Sequence, residues 1–345
     1  MCGLLGFIGE SKNAELTELF TTALFVRTQT RGIDASGFYC VSEFENKNVF
    51  YNKKPICSIK YVTENEYKSL WENRITAGIF HCRAASVGVG IPAFNQNNHP
   101  FVSYDNRKAV IHNGVIQKNE YEYLKNFYEV ETECDSEIIL RIFEQSENFE
   151  KKLNKYMDYT KESQYAISYL EADEYQRDLY LFRNEHRPLY IADLTKELGQ
   201  IFFFSTPEIF FGALKDSGLK LTTPRLHEIN PHHLFHIKYD IDKIFHIDQY
   251  RIEKEEKEDL TKLSYCSIDK SLSEWQNLIK TPNDNPSKYL LEMLQKFRIN
   301  IDSVVDPLNS YINRPDVEKN QILAIFNFFK DTNKKVEALK KLLEE

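Results

Sequence analysis

Nine of the twelve glycines in this 345-residue chain lie before residue 115, and none follows Gly218. Glycine serves where a backbone needs positive φ or where another group must come against it. Unusual backbone geometry is therefore concentrated in the first third of the chain and is not required in the last. The densest group is in the opening segment, Met1-Cys2-Gly3-Leu4-Leu5-Gly6-Phe7-Ile8-Gly9. Leu4, Leu5, Phe7 and Ile8 supply the apolar content of a short buried strand, with Cys2 at its open end.

Removal of Met1 makes Cys2 the chain terminus, carrying a thiol and a free α-amino group on one residue. A thiol titrates near ~8.5 and an α-amine near ~7.7 to 8.0, so proton exchange between them is feasible near neutrality. An N-terminal amine that activates the adjacent nucleophile is a known route to covalent catalysis.

Composition narrows the setting. No apolar run approaches the ~18 residues of a membrane span, and no charged segment followed by an apolar one marks secretion, so the expected location is the cytoplasm with no membrane contact. Formal charge is −8, with Lys and Arg scattered among acids, which disfavours direct nucleic-acid binding. Cys2, Cys40, Cys57, Cys82, Cys134 and Cys266 form no C-x-x-C or Cys/His pairing at zinc-ligand spacing, so no metal is expected and five of them read as buried thiols.

Ser11 is a candidate cap for a helix over 12–29, with Leu16, Leu19, Phe20, Ala23 and Leu24 on one apolar face. Strand-like runs follow at 77–83, 108–112, 165–170, 179–183, 201–205 and 233–237. Asp135 stands where it would cap a helix beginning at Ser136, and Thr206-Pro207 opens another that ends near Gly218. Helices thus interrupt a mainly antiparallel set of strands, an α+β layered domain over residues 2–250. From 251 to 345 the pattern is helical. Ile322, Leu323, Ile325, Phe326 and Phe329 make one apolar stripe; Val336, Leu339, Leu342 and Leu343 make another.

Five short segments recur as a chemical set: Cys2-Gly3; Arg31-Gly32-Ile33-Asp34-Ala35-Ser36-Gly37; His81-Cys82-Arg83-Ala84-Ala85-Ser86-Val87-Gly88 with Asn98-His99-Pro100-Phe101; His112-Asn113-Gly114-Val115-Ile116; and Cys134-Asp135-Ser136-Glu137. Attack of a thiolate on an amide carbonyl develops an oxyanion, which an Asn side-chain amide beside a Gly backbone N–H can stabilise. Asn113-Gly114 supplies that pair, although Asn-Gly is also the commonest hairpin turn. Arg83 offers a planar fork for a carboxylate, and Asp135 an anion for an ammonium group.

In this order the segments resemble the class II glutamine amidotransferase domain, with its C-G-x-x-G, R-G-x-D-x-x-G, H-x-R-x-x-S/T-x-G, N-x-x-P-F, H-N-G-x-I and D-S/T-E motifs. The resemblance covers about residues 2–215 and implies the four-layer αββα sandwich of N-terminal nucleophile hydrolases; the apolar stripes beyond it add an α-helical C-terminal extension. It implies Cys2 as nucleophile with its own amine as base, and Asn113 and Gly114 as the oxyanion hole. Arg83 with Ser86 would bind the glutamine carboxylate, Asp135 its ammonium group, and Arg31 and Asp34 would hold the pocket wall. No cofactor is implied. Ala84 replaces the Trp, and Val87 a His, found in glucosamine-6-phosphate synthases, so another member of the class is expected. Beyond residue 215 no S-G-G-x-D-S loop, phosphoribosyl motif or sugar-isomerase repeat occurs.

The expected activity is therefore hydrolysis of L-glutamine to glutamate and ammonia through a γ-glutamyl thioester, with ammonia delivered to a separately encoded synthase. The C-terminal helices would dock that synthase or a second copy of this chain. A hydrolase of another γ-glutamyl amide, and a non-catalytic scaffold, are the alternatives.

Overall fold

A computed structural model describes residues 1–44, 48–85, 90–145, 148–221 and 226–252. Ser86 and residues 253–345, which hold both apolar stripes of the expected extension and Cys266, lie outside the described residues. In chain order the elements are β1 (Gly3–Ile8), α1 (Ala14–Thr28), β2 (Ala35–Ser42), β3 (Val49–Lys54), α2 (Ser58–Tyr61), α3 (Asn65–Leu70), β4 (Ile75–Arg83), β5 (Phe101–Val102), β6 (Lys108–Val115) and α4 (Lys118–Leu124). They continue with α5 (Glu137–Phe143), α6 (Phe149–Tyr159), β7 (Gln164–Ala172), β8 (Gln176–Arg183), β9 (Tyr190–Leu194), β10 (Gln200–Phe204), α7 (Pro207–Ser217), β11 (Leu226–Glu228), β12 (His233–Asp240) and β13 (Phe245–Arg251).

The strands form two antiparallel sheets, ordered β11-β9-β10-β1-β4-β2-β3 and β13-β12-β8-β7-β6-β5. Side-chain alternation along a strand then builds three separate cores. Leu5 and Phe7 of β1 join Phe20, Leu24 and Phe25 of α1 and Phe210 of α7 in the first. Leu4 and Ile8 of the same strand turn the other way, meeting Ala109 and Ile111 of β6 and Leu170 and Leu179 between the sheets. Val110, Ile167 and Phe182 carry the third, against Ile138, Ile139, Phe143, Leu153 and Tyr156 of α5 and α6. Each fully buried Leu, Ile or Phe contributes ~1.5–3 kcal/mol. Three cores separate four layers, the αββα sandwich of the N-terminal nucleophile type.

Local details differ from the sequence reading. The cap of α1 is Asn13, whose side chain accepts from the Leu16 amide at 3.0 Å; Ser11 instead accepts from the Asn13 amide, so the helix begins later than expected. Leu19, placed on the apolar face, is half exposed. Asp135 is not a cap, because Ser136 occupies that position and α5 has no side-chain cap bond. Asn113-Gly114 is not a turn either: both residues continue β6, paired with Ala166 and Tyr165 of β7. The helix opened by Thr206-Pro207 does end at Gly218, which takes the left-handed conformation at φ 70°.

Candidate active site

β1 is a central strand, and Gly3 pairs with Cys82 of β4, so Cys2 emerges at the end of the sheet level with Arg83. Only glycine fits after Cys2: a Cβ on Gly3 would lie 2.3 Å from Thr28 Cγ2 and 2.9 Å from its carbonyl oxygen. The close approach sets the end of α1 against the strand and brings Arg31 within reach. Arg31 Nε donates to the Cys2 carbonyl at 2.9 Å. Asp34 fixes the opposite wall, accepting from the Ala85 amide at 2.7 Å while its own amide donates to the Arg83 carbonyl at 3.0 Å. Both residues therefore act on backbone around the cysteine.

The Cys2 thiol contacts the Ala84 carbonyl at 3.6 Å. Burial pushes the thiol above its ordinary value, opposed by the Ala84 backbone, the chain's amino group and the Arg83 guanidinium, and reinforced by the Asp135 carboxylate.

Cys2, Arg83, Gly114, Cys134 and Asp135 line one cavity, with His99, His112 and Ser136 in its wall. The guanidinium of Arg83 is almost wholly buried, and it donates to Asn98 Oδ1 at 2.7 Å and to the Gly90 carbonyl at 2.8 Å. Asp135 is carried on the segment before α5, where its carboxylate accepts from the Ile116 amide at 2.8 Å and from Ser136 Oγ at 3.2 Å. Glu137 shapes that segment. It is buried, and although burial raises its pKa, bonds from the Glu131 and Thr132 amides and from Arg141 hold it low.

Asn113 lies just behind the cavity wall. It is buried, and its side-chain Nδ2 finds no acceptor among the described residues. Alternation along β6 puts it on the same face as Ala109 and Ile111, the inter-sheet face that Leu4 and Ile8 also occupy. Continued by two residues, the Leu4 face of β1 is the face of Cys2. A Cβ at Gly114 would fall 1.8 Å from the Gln164 carbonyl oxygen, so β7 can pair at this point only with glycine.

Three buried histidines beside the cavity were not singled out in the sequence reading. His81, His99 and His112 are buried together: the rings of His81 and His99 stack at 4.1 Å, and His81 Nε2 lies 3.0 Å from the His112 carbonyl. A carbonyl only accepts, so Nε2 carries the proton and orients the peptide leading into Asn113. His112 Nδ1 in turn meets Ser136 Oγ at 2.8 Å, joining the β6 end to Asp135. Burial is the main cause pushing His81 down to about 3, His112 to about 4, and His99 well below its ordinary value. The only signal in the sequence was their place inside the H-x-R, N-x-x-P-F and H-N-G segments. Of the other cysteines, Cys40, Cys82 and Cys134 are buried thiols, and Cys57 is half-buried.

The four layers, with a cysteine one residue before a central strand and its side chain between the sheets, define a sandwich of the N-terminal nucleophile hydrolase type. No protein-family model matches the chain. Over 182 residues it is 31% identical to a glutamine–fructose-6-phosphate aminotransferase [isomerizing] of Shouchella clausii, half of this chain and 28% of that protein. Over 194 residues it is 31% identical to the corresponding aminotransferase of Staphylococcus aureus, covering 54% and 29%. A solved structure described as the allosteric regulatory enzyme of purine biosynthesis shares the fold, with a TM-score of 0.50 at 18% identity over 73% of this chain and 49% of that one. Over about half its length the chain is thus similar to glutamine–fructose-6-phosphate aminotransferases. Its match spans less than a third of the length of the curated relatives.

Proposed function

We propose that this chain hydrolyses L-glutamine to glutamate and ammonia with Cys2 as nucleophile. The observation that carries the reading is one cavity bounded by a thiol, a buried guanidinium and a buried carboxylate. Arg83 pairs with the α-carboxylate and Asp135 with the α-ammonium group, and the cation and anion fix an amino-acid head in one orientation. With Met1 removed, the Cys2 amine takes the thiol proton as Sγ attacks the side-chain carbonyl carbon. Asn113 Nδ2 and the Gly114 amide donate to the oxyanion. Collapse expels ammonia, which takes its proton from the Cys2 ammonium, and leaves a γ-glutamyl thioester. Water, deprotonated by the same amine, then attacks the thioester to release glutamate and restore the thiol.

Support comes from the relatives, whose names describe transfer of an amino group from glutamine to fructose 6-phosphate. The acceptor of the ammonia is a synthase in the cytoplasm; residues 216–345 themselves carry no S-G-G-x-D-S loop, phosphoribosyl motif or sugar-isomerase repeat. The apolar stripes around Phe326 and Leu339 are the docking element for it, or for a second copy of the chain.

The test is glutamate release from glutamine by full-length protein whose N-terminus has been established by intact mass. Activity should require an exposed Cys2 and vanish in Cys2→Ala. Full activity with Met1 retained would remove the α-amine from the mechanism, and persistence in Cys2→Ala would move the nucleophile elsewhere.

A further inference from the structure

Lys53 lies on β3 and is not among the residues that line the cavity. Its ammonium donates to three backbone carbonyls of one loop: Asn98 at 2.6 Å, Gln96 at 3.1 Å and Pro100 at 3.3 Å. The same group sits 4.8 Å from the Phe101 ring centroid. Its own carbonyl accepts from Asn95 Nδ2 at 2.6 Å, so residue 53 grips the loop from backbone and side chain together. Its three N–H bonds meet three backbone acceptors. The loop so held presents Asn98. That side chain donates through Nδ2 to the Pro92 carbonyl at 2.8 Å and to Asn95 Oδ1 at 3.2 Å, which leaves Oδ1 turned toward Arg83 Nη1 at 2.7 Å.

We propose that Lys53 is a positioning residue for glutamine binding: its ammonium holds the 95–100 loop so that Asn98 keeps the Arg83 guanidinium aimed at the substrate carboxylate. The proposal rests on the reading of Arg83 as the carboxylate-binding group. A neutral amine has two N–H bonds and a lone pair, which cannot satisfy three carbonyls and repels the third. The affinity for glutamine therefore follows the charge of Lys53.

That charge is adjustable near neutrality. Burial pushes Lys53 down to about 8; Glu137 at the start of α5 pulls it upward, Arg83 on β4 pushes it further down, and Cys134, itself pushed up to about 12 by burial, is neutral where Lys53 titrates. Glu133 also approaches the loop, through Asn97 Nδ2 at 3.1 Å. The sign for overall stability is opposite to that for the tether. Because the folded value lies below the unfolded one, unfolded chains bind more protons between about pH 8 and ~10.5, and global stability rises through that window. Weaker glutamine binding there is not unfolding.

The experiment uses the full chain and the variants Lys53→Met, Lys53→Arg and Arg83→Ala. The side-chain amide resonance of Asn98 is followed by NMR from pH 6.5 to 9.5, and KM and kcat for glutamine are measured at pH 7 and 9. The Asn98 resonance should inflect near pH 8 in the wild type and not in Lys53→Arg, whose guanidinium stays charged. Lys53→Met should raise KM at pH 7 about tenfold, the effect of losing a charge-assisted bond, with a smaller change in kcat. Lys53→Arg should restore most of it and remove the part of the KM rise at pH 9 that exceeds ionisation of glutamine itself. No inflection in the wild type, the same inflection in Lys53→Arg, or an unchanged KM in Lys53→Met overturns the proposal. An unchanged KM in Arg83→Ala overturns instead the assignment of Arg83, and the Asn98 titration then decides the tether on its own.

Discussion

The carboxylate of Asp135 accepts the backbone N–H of Ile116 at 2.8 Å, tying the segment before α5 to the chain two residues beyond Gly114. One buried carboxylate is thus shared between a structural bond and the cavity it faces. The two parts it joins are those assigned here to the ammonium group and to the oxyanion.

This double use separates two substitutions. Asp135→Ala leaves the Ile116 amide without its acceptor, at a cost of ~1–3 kcal/mol, and also removes the anion. Asp135→Asn keeps an acceptor oxygen but no charge. Both should raise KM for glutamine strongly, while only the alanine variant loses urea resistance. Equal KM values for Asp135→Asn and wild type would show that the carboxylate is structural only.

Asn113 carries a buried amide nitrogen with no acceptor among the described residues, a donor left free for the proposed oxyanion. Asn113→Ala should lower kcat by ~10² to 10³ with a smaller effect on KM. Stability should change little, because no bond of that nitrogen is lost. A rise in KM alone would place Asn113 in ground-state binding.

Gly114 and Gly212 make an internal contrast. At Gly114 a new Cβ meets the Gln164 carbonyl oxygen at 1.8 Å, a backbone atom that cannot turn aside; at Gly212 the nearest atom is the flexible Arg27 Cδ at 3.1 Å. Gly114→Ala should destabilise by ~1–3 kcal/mol or more and abolish turnover. Gly212→Ala, inside α7, should be neutral or stabilising by up to ~1 kcal/mol. Thermal midpoints of the two variants check this, and a normal midpoint for Gly114→Ala would contradict the register of β6 and β7.

The legible parts of the fold were those with a local cause. β1 and β10 read as apolar runs, and α7 announced itself by Thr206-Pro207 and Gly218. β2 gave no alternation because all eight residues are buried, and β13 resembles a loop because its residues are mostly exposed and polar. Asn113-Gly114 looked like a turn for a good local reason, but the glycine answers to a neighbouring strand that sequence alone does not locate. Cys2, Arg83 and Asp135 were legible as chemistry. Their supports were not, since Lys53 and the carbonyls it holds are brought together only by the packing of β3 against a distant loop.

The buried histidines give the acid behaviour of the fold. His81, His99 and His112 are neutral in the folded protein, with folded values at about 3, well below 6.5, and about 4, whereas in unfolded chains each takes a proton near ~6.5. Below that pH the unfolded state binds more protons, so stability is fully present well above ~6.5 and falls as the pH drops toward the folded values. Each histidine adds at most ~1.4 kcal/mol per pH unit. Urea midpoints should change little from about pH 8.5 to 7.5 and should decline with growing slope from about 7.5 to 5.5, before carboxylate protonation contributes heavily. His99 makes no hydrogen bond through either ring nitrogen among the described residues, and it packs by stacking on His81 and against Phe101. His99→Leu therefore removes one titrating group without orphaning a partner, and the decline should lose about one proton's share. A slope unchanged in His99→Leu, or absent in the wild type, would mean that these rings are protonated inside the fold.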